Sequence, residues 1–369
     1  MIWRPDGSPG RRCWRLAESE PIPPVADAIS TTSGDTAGID IWPLIENTHD
    51  DPLAPFAMAA DRHYVFSADG SAAVSYRLLT GYAVAAGDPI GDPDRYAEVV
   101  QKFVTLCWLR DWQMVALGVS ERRLPLWQNL SGAGKHLTTV PIGRDVVIDI
   151  DKFDLSGRAK RNLRQAVQRT HNAGISTEIV AEAELTPELS AELYEVMLDS
   201  GKAATAERGF SMMLGDTLSG RYPGVWLIIA RDRDGQVQGF HRYASAGGGT
   251  DLSLDLPWRR CTAPNGVDER LSVDMVDWAA GAGAQRVSLA FAPLPELYER
   301  GAADGAGVQA LRAVAHAADR FIKLESLYRY VDKFHTMDRR RYVLFPVLHV
   351  AHVAAVLLTL EFSPHHDRD

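Results

Sequence analysis

One order of elements occurs twice in this chain. Strands are expected over 63–67, 72–78 and 82–86, with turns at Asp69-Gly70 and Thr80-Gly81. A proline-containing turn from Gly87 to Pro93, a helix over 95–110 and a strand over 112–119 follow. The later half offers strands over 225–230, 237–243 and 251–256, a turn at Asp234-Gly235, a proline-rich turn, a helix over 267–280 and a strand over 286–291. In both halves an Asp-Gly hairpin precedes a strand that ends in an aspartate, Asp88 or Asp255, and a helix comes next. Hairpins joined through a helix to one more strand build a mixed sheet flanked by helices. Duplication of one α+β unit is therefore the expectation. A short helix over 121–130 and two strands, 137–142 and 145–150, complete the first unit.

The chain of 369 residues has room for two such units. Residues 1–55, with Pro21, Pro23 and Pro24 among acidic and small residues, read as an irregular arm. The first domain is then expected at 56–182 and the second, with the active site and the C-terminal helix, at 183–369. Net charge is −9, so contact with a nucleic acid has to come from a local basic patch. Cys13, Cys107 and Cys261 are too far apart and too few for a disulfide framework or a cysteine zinc site. The start, Met1 to Asp6, lacks the apolar core of a signal peptide, and the expected compartment is the cytoplasm. The apolar run from Val343 to Phe362 is interrupted by Pro346, His349 and His352, which favours a buried or membrane-surface helix over a membrane span.

Between the halves, 154–173 reads as the most basic helix of an acidic chain, with Asp154 as N-cap and Gly174 as stop. Leu155, Ala159, Leu163, Ala166 and Val167 form its apolar stripe, while Arg158, Lys160, Arg161, Arg164 and Arg169 occupy much of the rest. Such a face is either an ordinary solvated surface or a contact for a phosphate-bearing partner.

Several chemistries are excluded by residue pattern. Gly132-Ala133-Gly134-Lys135-His136 lacks the glycine spacing and the hydroxyl of a phosphate-binding loop. No Gly-x-Gly-x-x-Gly follows a strand, no His-Glu-x-x-His is present, and there is no Gly-x-Ser-x-Gly elbow. The stretch from Leu252 to Gly266 stands out instead. Alternating Leu252, Leu254 and Leu256 should face one side, Ser253 and Asp255 the other, before Pro257-Trp258-Arg259-Arg260 and a turn into the helix. With Glu325 and Lys333, Asp255, Arg259 and Arg260 suit transfer of an already activated group, in which alignment and charge stabilisation suffice.

Ser253 to Leu256 with Arg259-Arg260, then Ala263 to Gly266 and Val287 to Ala292, resemble the C-terminal catalytic domain of phosphatidylglycerol lysyltransferases. So do Gly87-Asp88-Pro89-Ile90-Gly91, Phe153 to Arg158 with Asn162-Leu163-Arg164, and Glu207-Arg208-Gly209-Phe210-Ser211-Met212. Tyr298 to Ala302, Glu325 to Arg329, Asp332-Lys333-Phe334 and Arg341-Tyr342 extend the likeness, which spans about residues 60 to 346. The resemblance implies two tandem acetyltransferase-like (GNAT-type) folds and aminoacyl-tRNA as donor, with no cofactor and no metal. It implies catalytic roles for Asp255, which orients the acceptor or takes its proton, for Arg259, which stabilises charge, and for Glu325. Asp88, Glu207, Arg208, Ser211, Arg260 and Lys333 are the expected substrate contacts, and Arg158, Lys160, Arg161 and Arg164 the expected tRNA contacts. Pro257 and Trp258 depart from the family's usual Asp-Leu-Met-Arg, and a polar arm stands where lipid-modifying members carry a membrane domain. A small soluble hydroxyl or hydroxylamine acceptor is thus expected ahead of phosphatidylglycerol. The other readings are contact with the membrane surface through the C-terminal helix, an acyl-CoA-dependent transferase, and a non-catalytic binding protein of the same fold.

Overall fold

The computed structural model describes residues 40–128, 130, 137–200, 213–293, 330–334, 336–346 and 350–362. The expected Asp-Gly hairpins form: Gly70 and Gly235, both at positive φ, turn β1 (His63–Phe66) into β2 (Ala72–Leu79) and β8 (Val225–Arg231) into β9 (Val237–Ala246). β3 (Tyr82–Ala86) adds antiparallel to β2, and the two-residue β4 (Ile90–Gly91) pairs with β2 as well. Helix α2 (Tyr96–Leu109) then crosses over to β5 (Gln113–Ser120), parallel to β3, and the short α3 (Leu124–Gln128) follows. Tyr96, Val99, Val100, Phe103, Val104 and Cys107 are the buried face of α2, as their spacing predicts.

The later half repeats this order. β7 (Ser176–Ala181), β8, β9 and β10 (Asp251–Arg259) run antiparallel, and helix α6 (Val267–Gly281) crosses over to β11 (Arg286–Pro293), parallel to β10. β7 lies before the expected boundary at 182/183 yet pairs with β8. Neither β7 nor helix α5 (Pro187–Asp199), capped by Thr186, is expected from the apolar spacing. All described strands belong to one twelve-stranded mixed sheet flanked by helices. This is the expected α+β architecture.

The halves exchange their last strands. β6 (Leu137–Asp149) leaves the first half and pairs with β11, while β12 (Met337–Pro346) leaves the second half and pairs with β5 and with β6. Two strands expected at 137–142 and 145–150 are thus one. Gly143 lies between two neighbours, opposite Arg341 of β12 and Pro293 of β11, so the strand passes through the glycine without a turn.

Three other expectations are corrected. The part of the arm that is described is ordered: α1 (Trp42–Glu46) and a 3-10 turn at Ala54–Met58 bury Ile45, Leu53 and Phe56 against the sheet. The basic helix is shorter than expected, α4 (Arg161–Ala173), because Asp154 closes a local turn onto the backbone and hydroxyl of Ser156 instead of capping the helix. Its end at Gly174, φ 82°, is as expected. The apolar run at the C-terminus is divided between β12 and α7 (Val350–Phe362), whose Val353, Val356 and Leu360 pack on Val84, Val115 and Val343. These three side chains belong to the core, which is the buried alternative of the two expected. Among the described residues no helix is long and apolar enough to cross one.

Candidate active site

The two parallel crossovers differ where a site could form. β3 and β5 stay paired over the whole of β3, from Tyr82 opposite Gln113 to Ala86 opposite Leu117. β10 and β11 pair only from Asp251 to Ser253, opposite Arg286 to Ser288, although β10 runs on to Arg259 and β11 to Pro293. Each carries a bulge at the parting, at Asp255 in β10 and at Leu289 in β11, and each keeps its outer neighbour, β9 or β6. Among the described residues this leaves a notch in the ladder between them. The β10 backbone facing it has no strand partner among the described residues, which is how Pro257 is tolerated at mid-sheet.

The bulge also overturns the expected alternation. Leu252 and Leu254 face the core under α6, but Leu256 and Trp258 lie in the core under α5, because Asp255 is an extra residue between the pairs Leu254–Tyr243 and Leu256–Arg242. Asp255 lies where the strands part, with its side chain fully buried. Its Oδ2 accepts from Arg242 Nη1 at 2.7 Å, and its Oδ1 from the Leu214 backbone N–H at 3.2 Å. Arg242, wholly buried in β9, is gripped from behind by Glu182: Nη2 donates to Oε1 at 2.9 Å and Nε to Oε2. Burial pushes the Asp255 carboxyl up to about 6 despite the Arg242 charge. A carboxylate with that value titrates near neutrality and retains lone pairs for one more donor.

The expected partners of Asp255 are elsewhere. Arg259 lies on the opposite face, its Nε 3.1 Å from Asp268 at the start of α6; Asp268 also meets His241, whose neighbour Arg242 points the other way. Arg260 Nε donates to the Val237 carbonyl at 2.7 Å, and Lys333 pairs with Glu269 of α6 at 2.5 Å. Trp258 is 1% exposed in the α5 core. The geometry therefore joins Asp255 to Arg242 and separates it from Arg259, Arg260 and Lys333. Glu207, Arg208, Ser211 and Glu325 lie outside the described residues. Sequence reasoning passed over Arg242 and Glu182. The one signal was Arg242 itself, next to His241 between Phe240 and Tyr243 in a largely apolar strand, where a charge needs a buried partner.

Asp88 is not the first half's counterpart of Asp255. Counted from the first pair of each parallel ladder, Asp255 corresponds to Ala86. Asp88 lies beyond the strand and accepts the Ser120 backbone N–H at 2.9 Å, tying β3 to β5. Leu53 packs against Gly87 and Gly118, where an added Cβ would come within 3.3 and 3.0 Å of it. Arg341 closes the position from β12, bonding Asp51 at 2.7 Å, Asp145 at 2.8 Å and the Gly118 carbonyl at 3.0 Å. The first half's parallel pair is plugged by Leu53 and Arg341; the second half's strands part after Ser253.

Of the basic residues before and in α4, Arg158 and Arg161 are exposed and make no ion pair among the described residues. Lys160 donates to the Phe334 carbonyl and lies over the Phe153 ring. Arg164 donates to the Leu155 and Gly157 carbonyls. The last two hold the turn over 154–160 and are not free for a partner. α4 also covers the start of α6: a Cβ on Gly266, the N-cap at φ 106°, would lie 2.7 Å from the Ala166 carbonyl oxygen. With Asp268 and Glu269 in its first turn, this helix end is a poor anion site.

A family model, phosphatidylglycerol lysyltransferase, C-terminal, matches residues 42–345. The chain is 54% identical to the MprF-like domain protein Rv1619 of Mycobacterium tuberculosis over 325 residues, 88% of this chain and 67% of that protein. It is 34% identical to the lysylphosphatidylglycerol biosynthesis bifunctional protein LysX of Rhodococcus opacus over 289 residues, 78% of this chain but only 25% of that one. The fold matches the structure of L-PGS from Bacillus licheniformis with a TM-score of 0.70 at 18% identity, covering 85% of this chain and 93% of the other.

Proposed function

This chain belongs to the phosphatidylglycerol lysyltransferase C-terminal family, and from that premise we propose that it transfers an aminoacyl group from aminoacyl-tRNA to phosphatidylglycerol. The match over residues 42–345, which takes in the parted strands and Asp255, carries the reading. Lysine is the first amino acid to test, because the LysX relative is named for lysylphosphatidylglycerol. The lipid replaces a small soluble metabolite as the favoured acceptor: the relatives' names point to it, and no feature of the notch favours the metabolite.

The chemistry asks little of the protein. The ester of aminoacyl-tRNA is already activated, and its exchange onto another hydroxyl is near thermoneutral. Asp255, ionised above about pH 6, accepts the proton of the acceptor hydroxyl as that oxygen attacks the carbonyl carbon. The ester bond to the tRNA ribose then breaks, and the proton passes from Asp255 to the departing ribose oxygen. Aminoacyl-tRNA is the co-substrate, and the reaction needs no further cofactor. It runs on the cytoplasmic side, where charged tRNA is found. Arg158 and Arg161 contact the tRNA backbone. An acyl-CoA donor is disfavoured, because α4 and two acidic residues occupy the helix end that would hold its pyrophosphate.

The test is incubation with radiolabelled lysyl-tRNA and phosphatidylglycerol vesicles, with a pool of other charged tRNAs and a soluble metabolite extract as parallel arms. Label in the lipid phase is the expected result. Label only in a water-soluble product would reassign the acceptor, and no transfer in any arm would end the transferase reading.

A further inference from the structure

The Asp255 carboxylate is fully buried, and it is held by a second charged layer made of Arg242 and Glu182. The bulge leaves its carboxylate without a ladder neighbour of its own, so its direction is set by what it bonds. The Leu214 N–H fixes one oxygen and Arg242 the other. Arg242 has no freedom either. Its guanidinium bonds both oxygens of Glu182 and the Gly215 carbonyl at 3.0 Å, and lies 5.7 Å from the centre of the Tyr222 ring. Glu182 is 1% exposed and accepts in addition from the Gly220 N–H at 3.2 Å. Two carboxylates and one guanidinium so deeply buried contribute little to stability against an apolar substitute. A positioning role explains why the geometry is so complete.

We propose that Arg242, clamped by Glu182, is the positioning residue that orients the Asp255 carboxylate and sets its proton affinity for the transfer proposed above. The inference rests on that transferase reading for its catalytic half only. The charged groups that face Asp255 are Arg242 from β9 and, through it, Glu182 after β7; Asp216 stands behind the Tyr222 ring. Arg242 favours the ionised form of Asp255 and Glu182 opposes it. Removing the Glu182 charge while keeping its shape should therefore make Asp255 a stronger acid.

The experiment uses the full chain, as wild type, Glu182→Gln and Arg242→Lys, with 13C-carboxyl-labelled aspartate to follow Asp255 by NMR and the pH profile of kcat/KM in the same buffers. Glu182→Gln, which keeps the side chain's shape and one acceptor oxygen for Arg242 while removing the charge, is expected to lower both the Asp255 midpoint and the acid limb of the profile by half a pH unit or more. Arg242→Lys, which loses the forked contact, is expected to reduce kcat at least tenfold with KM for either substrate changed less than twofold. A folded Glu182→Gln protein in which neither midpoint nor limb moves overturns the proposal, as does a midpoint that moves without the limb. A wild type that shows no transfer while the midpoint shifts as expected overturns the transferase reading and leaves the Glu182–Arg242 clamp standing.

Discussion

Asp255 owes its environment to one extra residue in β10. Without the bulge it would lie opposite a β9 residue in regular register, with Leu256 still facing the α6 core; with it, the carboxyl meets Arg242 and the next two side chains change sides. Burial raises its pKa to about 6, above the roughly 3.9 of an unfolded aspartate. The folded form therefore binds the proton more tightly. The stability Asp255 contributes is fully present below the unfolded value and is lost as pH rises through about 6. Asp145, raised to about 6 chiefly by burial beside Arg341, adds the same trend. Only Asp255 should also appear in catalysis: Asp255→Asn is expected to lower kcat/KM roughly 100-fold or more and to remove the acid limb, as measured by transfer assays from pH 5 to 8. Asp255 was legible in the sequence as a carboxylate in an apolar strand. Its partner was not, because a bulge follows from pairing with a neighbour and leaves no mark on spacing.

Among the elements, α4 and α6 show what periodicity can and cannot tell. The apolar stripe Leu163, Ala166, Val167 and the stop at Gly174 are plain from spacing, and the structure buries Leu163 and Ala166. The start is not, because Asp154 has an equally good local turn to make with Ser156. The crossing of the two helices depends on Gly266. Gly266→Ala, with a Cβ 2.7 Å from the Ala166 oxygen and a left-handed φ of 106°, should destabilise the fold by about 3 kcal/mol in urea denaturation. On the outer surface, replacing Arg158 and Arg161 together by alanine should weaken tRNA binding and reduce the slope of log K against log salt by about 1.5. Arg164→Ala should disturb the turn over 154–160 instead, and a slope lowered as much by Arg164→Ala as by the exposed pair would contradict this division.

For the sheet as a whole, the repeat was legible and the exchange of strands was not. Hairpin signals and crossover helices are local, and both copies carry them; which strand β6 or β12 lies beside is decided by distant partners such as Arg341 with Asp51 and Asp145. That exchange links the halves. Urea unfolding followed by tryptophan fluorescence and by far-UV circular dichroism should give coincident transitions, since β12 supplies the buried arginine of the first half. Divergence of labour follows from the same architecture: Leu53, Asp88 and Arg341 seal one parallel pair, while β10 and β11 part at their bulges. The most direct measurement is the rate of label transfer from lysyl-tRNA to phosphatidylglycerol by Asp255→Asn and Asp88→Asn, compared per folded molecule. The expected result is near-complete loss for Asp255→Asn and a kcat/KM within a few-fold of wild type for Asp88→Asn. Retained transfer by Asp255→Asn, or an equal loss in both, would contradict a site at the notch of the second half.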